Sequence, residues 1–364
     1  MVATHGDSND FLRCTDIIYR KDNHLLFKSN NKGDTPLHCA ARAGKSKMVC
    51  HLIDLAIDFG THEGDTEKSL KGLLRKENTS KETALHEAVR FGDNDIVDLL
   101  MTRDSELATF PEQGTSPLYL SILLENDIIA KTLYDKSKGN NLSYSGPDGQ
   151  NALHAAVFRS KAMTVLLLKW NKNLTTQGDK NGSTHLHFAA SSRGIRLPFW
   201  GLVFSIANFR RDKVVRAVRQ VLRANGVMLY QPDNCGMLPI HVAASVGELE
   251  NIKIFINEYP CSAGLRDKRG RTFLHIAVEN DEVNIVSARG FGADPVHLDA
   301  TVPRQAVRVT RGLGSVPTMF TSAPLYRTKQ YALWGSRVGA KASGVDPIHL
   351  GATEARTAVR VPGV

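Results

Sequence analysis

No stretch of this chain is apolar for long enough to cross a bilayer. The longest such run, 197–209, holds thirteen residues and is broken by Ser205 and Asn208, against the roughly 20 that a spanning helix needs. The opening segment MVATHGDSNDFLRC has no apolar centre, so it does not read as a secretory leader. Cysteine is sparse and unpaired: residues 14, 39, 50, 235 and 261 stand singly, with no C-x-x-C. That spacing speaks against a disulfide framework or a zinc ribbon and for reduced thiols in a cytosolic compartment. Catalytic signatures are missing as well. His86-Glu87 is followed by Ala88, Val89 and Arg90, which does not complete H-E-x-x-H, and neither G-x-S-x-G nor a kinase set occurs. Gly44-Lys45-Ser46 echoes the end of a phosphate loop, but Cys39 stands where the first glycine of that loop belongs. No enzyme activity and no cofactor are therefore expected.

The charge that is present is uneven. The chain carries +9 overall, of which 287–364 contributes +6 and 193–223 contributes +7, leaving −4 for the rest. The basic character belongs to two segments and not to the body, which argues against a nucleic-acid partner. Hydrophobic residues make up 42% and charged residues 23%, enough apolar material for a packed core.

What dominates the sequence is self-similarity. The string GDTPLHCAARAG (33–44) returns as KETALHEAVRFG (81–92), GTSPLYLSILLE (114–125), GQNALHAAVFRS (149–160), GSTHLHFAASSR (182–193), GMLPIHVAASVG (236–247) and GRTFLHIAVEND (270–281). Its His position falls at 38, 86, 119 (a Tyr), 154, 187, 241 and 275. The intervals are 48, 33, 35, 33, 54 and 34, a period of 33–35 with two insertions. A leucine twelve residues upstream keeps step at Leu26, Leu74, Leu107, Leu142 and Leu229. Each residue type has a reason to be there. Thr caps a helix with its hydroxyl, Pro fits the first turn where its missing N–H is harmless, and small Ala lets neighbouring helices approach. Gly44, Gly92 and Gly247 end that helix. A second helix follows with apolar spacing, as in Ile96, Leu99 and Leu100, or Leu249, Ile252 and Ile256. One copy cannot bury its own apolar face, so the seven copies are expected to stack into an all-α solenoid over 30–286.

The edges depart from the pattern. Residues 1–29 read as a partial repeat that keeps only its second helix. Residues 58–77 read as a polar linker with a short helix at 66–75, and 194–213 as a basic-apolar insert. The tail 287–364 is expected to be disordered, with nine Gly and six Pro. Within it, 293–309 matches 345–361 at 11 of 17 positions.

The repeat unit resembles the ankyrin repeat, which implies helix-turn-helix units joined by β-hairpin loops. Strings such as NNKGDTPLHCAARAGKSKMV and LPIHVAASVGELENI over about 6–286 resemble the plant accelerated-cell-death-6-like subfamily. That resemblance implies a non-catalytic protein-interaction scaffold that regulates defence or cell death. Members of the subfamily usually continue into a C-terminal membrane domain introduced by Pro-Gly-Gly, and the tail here has no such span. The expected location is cytoplasmic. The alternative is a membrane-associated regulator, held peripherally at an acidic membrane through 193–223 or by a partner.

The histidines His38, His86, His154, His187, His241 and His275 tempt a metal reading. One per repeat, they lie about 10 Å apart, the spacing of packed helices, whereas ligands must converge within about 2–3 Å of one ion. They are expected to bridge adjacent repeats by hydrogen bonds. His38, Cys39, Cys50 and His51 resemble a zinc set only on paper, since Cys39 and Cys50 fall near the core, and no metal is expected. The expected partner is another protein. In an ankyrin stack the two residues before the helix-ending Gly face the concave groove. Arg90, Phe91, Leu123, Leu124, Phe158 and Arg159 would then form one stripe of apolar and guanidinium groups. The alternative is that Leu123 and Leu124 are buried in a drifted third repeat, leaving Phe91 and Phe158 isolated at the surface.

Overall fold

The computed structural model describes residues 2–5, 7–137, 142–191 and 217–288. The stretch 192–216, which holds the basic-apolar insert, and the tail from 289 onward, with its duplication, lie outside the described residues. After α1 (Val2–His5) and α2 (Asn9–Lys21) come α3 (Pro36–Arg42), α4 (Ser46–Glu63) and α5 (Thr66–Leu74). They are followed by α6 (Ala84–Phe91), α7 (Asn94–Arg103), α8 (Pro117–Leu123), α9 (Asp127–Lys136), α10 (Ala152–Arg159) and α11 (Lys161–Trp170). Then come α12 (His185–Ala190), α13 (217–224), α14 (Pro239–Ser245), α15 (Leu249–Glu258), α16 (Phe273–Glu279) and α17 (Val283–Val286). The described part is an all-α stack of helix pairs.

Within each copy the first helix turns back into the second, and first helices contact one another in sequence: α3 on α6, α6 on α8, α8 on α10, α10 on α12, α12 on α14 and α14 on α16. The alanines allow this. Ala40, Ala41, Ala88, Ala155, Ala156, Ala189, Ala190, Ala243, Ala244 and Ala277 are all buried, so helix backbones approach without side chains to hold them apart. The upstream leucine is also explained. Leu26, Leu107 and Leu229 sit on short 3₁₀ turns between one helix pair and the next, and each is buried under the stack.

The loops between repeats turn like hairpins without becoming strands. Among the described residues the one β-type pairing is an isolated bridge from Ser145 to Asn151. Five of these loops are closed by an Asn or Asp five residues before the capping residue. The carboxylate or amide oxygen of Asn30, Asn78, Asp179, Asp233 and Asp267 accepts the backbone N–H two and four residues on, at 2.8–3.0 Å. Side chains thereby do the closing that a ladder would do. One backbone bond ties loop to loop, as in Thr79 N–H to Lys32 O (3.1 Å) and Asn234 N–H to Asn181 O (2.9 Å). Gly33 shows how close they pass: it sits at φ +78°, and a Cβ there would press into the backbone of Asn78 and Thr79.

The expected linker at 58–77 needs correction. Residues up to Glu63 continue α4, because Leu52, Ile53, Leu55, Ala56 and Gly60 keep a buried face going. α5 folds back on it, burying Leu73 and Leu74. Arg75 then clamps the segment to the end of α7 through Asp104 (2.6 Å) and Glu106 (2.8 Å), with its guanidinium 5.0 Å from the Phe110 ring.

Candidate protein-binding face

The repeat histidines form the joints of the stack. In the first copy the Thr35 backbone N–H donates to His38 Nδ1 (3.2 Å), so that nitrogen carries no proton and Nε2–H is the donor. It reaches Glu82 O in the next copy at 3.0 Å. The same bridge runs from His86 to Thr115 O (2.9 Å), His154 to Ser183 O (3.1 Å), His187 to Met237 O (2.9 Å) and His241 to Leu265 O (3.2 Å). His275 keeps the local half of the arrangement, with Nδ1 2.8 Å from Thr272 Oγ1. Burial pushes His38, His86, His187 and His241 below the ordinary imidazole range, and His154 down to about 4. Neutral, doubly bonded rings have no lone pair for a metal, and no cluster of metal-ligand type occurs among the described residues.

The third copy solves the same problem differently. Tyr119 is fully buried and its hydroxyl donates to Gln150 Oε1 at 2.7 Å. Gln150 occupies the position whose backbone carbonyl receives the histidine in most other joints. The larger ring needs room, and it takes the place where other loops carry their Asn or Asp. That residue is Gly146 here, and a Cβ on it would lie inside 3.0 Å of the Tyr119 ring.

The six residues of the expected stripe have separate fates. Arg90 is turned inward, pairing with Glu82 (2.7 Å) and Glu87 (3.1 Å). Glu87 also takes both arms of Arg42 (3.0 and 2.8 Å), and Arg42 reaches Asp34 at 2.9 Å. Burial works to raise the Glu87 carboxyl, but Arg42 and Arg90 outweigh it and hold it below the usual range. Phe158 is half-buried with its ring edge-on to Phe188 in the next copy, centroids 5.8 Å apart. It makes the same step across a joint that Arg42 makes to Glu87, with an aromatic pair in place of ions. Leu123 and Leu124 are half-buried, and Arg159 lies 3.6 Å from Glu125. Phe91 stands out: its ring leans on Gly44 of the preceding copy and is still 55% exposed.

Ile128, at the start of α9, was not anticipated from the sequence and is 67% exposed. Its apolar character alone carries no signal, because neighbouring apolar positions of α9 are buried. Glu87 had a signal that went unread. The corresponding position holds Cys39, Leu120, Ala155, Phe188, Val242 and Ile276 in the other copies, so a lone carboxylate in an otherwise uncharged column marks a charge network.

Comparison with known proteins agrees with this architecture. The profile of the ankyrin repeat matches 32–59 and 80–108, and that of ankyrin repeats in many copies matches 222–277. The chain is 26% identical over 275 residues to Protein ACCELERATED CELL DEATH 6 of Arabidopsis thaliana, covering 74% of this chain and 34% of that one. It is 25% identical over 301 residues to the human transient receptor potential cation channel subfamily A member 1, covering 74% of this chain and 24% of that one. The chain thus spans no more than about a third of the length of these relatives. Among solved structures, the ankyrin repeat domain of Bcl-3 superposes with a TM-score of 0.51 at 21% identity, covering 71% of this chain and all of that one.

Proposed function

We propose, from the premise that the chain is built of ankyrin repeats, that it is a scaffold that binds another protein and catalyses nothing. The stack spends its histidines, its buried carboxylate and its inward arginines on holding itself together. The observation that carries the reading is Phe91, a large aromatic held open to solvent on a rigid helix end. Interfaces favour such anchors. With Arg90 before it in the chain, and Leu123, Leu124, Phe158 and Arg159 at the corresponding helix ends of the next two copies, Phe91 makes up the proposed face. Likeness to Protein ACCELERATED CELL DEATH 6 supports a role in plant defence or cell-death signalling. Among the described residues no helix is long and apolar enough to cross a membrane, and a cytoplasmic setting is the reading we favour.

The test compares Phe91→Ala with Phe158→Ala. Truncating a central anchor costs a complex about 2 kcal/mol, roughly thirtyfold in affinity. Proteins co-purifying with the full chain are quantified for each variant beside its thermal melt. Phe91→Ala should lose partners with an unchanged melt, and Phe158→Ala should lower the melt. Undiminished partner recovery with Phe91→Ala refutes this face.

A further inference from the structure

One buried side chain contributes nothing to the joints described above. His185 opens α12 at the position held by Pro36, Ala84, Pro117, Ala152, Pro239 and Phe273 in the other copies. It is fully buried, and neither ring nitrogen has a hydrogen-bond partner. An imidazole in that state has surrendered its hydration with no bond in return. Among the described residues no carboxylate forms an ion pair with it. From α10 it faces His154, whose ring lies 6.4 Å away, edge-on, and which itself packs against Phe188 at 4.9 Å. His187 lies two residues on in the same helix. From α14 comes His241, bonded to Leu238 N–H and Leu265 O; Glu248 caps the start of α15, and Asn251 within it donates its amide to Ala189 O. The carboxylates of the two flanking loops, Asp179 and Asp233, are occupied with their own backbone amides. At the far end of α10, Arg159 faces Glu125.

We propose that the joint between the fourth and fifth copies is an acid-operated break point, at which a proton on His185 parts α12 from α10. In a stack where each copy touches only its neighbours, one parted joint divides the solenoid in two. Parting lets water reach His185, which accepts a proton that the closed joint excludes. Burial, with His154 and His187 adding repulsion, holds the closed-state group well below the ordinary imidazole range. This inference goes beyond the binding role and does not depend on it.

An open-state pKa of about 6.5 and a strongly depressed closed-state value give about an eightfold rise in the opening constant from pH 7.0 to pH 5.5 for this one group. The experiment measures hydrogen exchange of the full chain at both pH values, corrected for intrinsic rates, in wild type, His185→Ala and His185→Pro. Both replacements occupy this position in other copies of the same chain. Protection of α12, relative to α6, should fall about eightfold more in wild type than in either variant. At pH 7.0 both variants should protect α12 at least as well as wild type. Equal acid sensitivity in all three proteins overturns the proposal. So does loss of α12 protection at pH 7.0 in both variants, because the imidazole would then be a structural support and not a trigger.

Discussion

Tyr119 and Gly146 define a steric pair that a double-mutant cycle can isolate. Placing a side chain on Gly146 drives its Cβ inside 3.0 Å of a fully buried ring that is also tethered through its hydroxyl to Gln150. The ring cannot retreat without giving up that bond. Overpacking of this kind costs about 1–3 kcal/mol, and at about 2–4 °C per kcal/mol for a unit of this size a 2 kcal/mol loss lowers the melt by roughly 4–8 °C. Gly146→Asn, which restores the residue type used in other loops, should therefore destabilise on its own. Tyr119→His alone should cost about 2 kcal/mol, through the vacated ring volume and the orphaned Gln150 amide. Together the two changes recreate the standard joint, with an Asn that closes the loop and a His that reaches the Gln150 carbonyl. The double variant should then be more stable than the sum of the singles by at least about 1 kcal/mol. Circular dichroism melts and urea titrations of the four proteins measure this. A neutral Gly146→Asn, or strict additivity, refutes the claim that ring size dictates the glycine.

Other expectations concern charge. Glu87→Ala leaves Arg42 with Asp34 and Arg90 with Glu82 as their remaining partners and should cost about 2 kcal/mol, read as a shift in the urea midpoint, whereas Asp95→Ala on the exposed side of α7 should change it little. The histidine joints make the fold acid-sensitive with a defined sign. The rings are neutral in the fold, with depressed values, so the unfolded chain binds more protons once pH drops below about 6.5. Stability is full above that pH and falls as pH descends, until the folded value is reached, near 4 for His154. Between pH 7.5 and 5.5 the loss from His154 should be about 1.4 kcal/mol, and a flat denaturation midpoint over that range rules it out.

Much of the stack was legible because a repeat states its rules several times. The Ala pairs, the capping Thr and the His position recur in register, so their burial and bridging follow from sterics that hold for any copy. The same recurrence hid what differs between copies. Arg90 and Phe158 read as surface residues because their partners, Glu82 and Glu87 for one and Phe188 for the other, are identified only when the copies are aligned column by column. The extension of α4 to Glu63 was obscured by polar residues along its outer face, while Gly60, which looks like a breaker, is buried where α5 folds back. The closing role of Asn30, Asn78, Asp179, Asp233 and Asp267 was readable in the spacing alone, five residues before each capping position.

The histidine bridges end on main-chain oxygen, and a main-chain oxygen is the same whatever residue bears it. Glu82, Thr115, Ser183, Met237 and Leu265 all serve. Such a joint is blind to the identity of its neighbour, so copies joined this way can be duplicated, deleted or shuffled by recombination, and long insertions between them leave the attachment intact. The joint after Tyr119 lacks that freedom. It ends on a side chain, needs Gln150 to receive it and Gly146 to clear its path. The third and fourth copies can therefore be inherited only as a pair, and a gene rearrangement that separated them would leave a tyrosine facing a loop with no space for it.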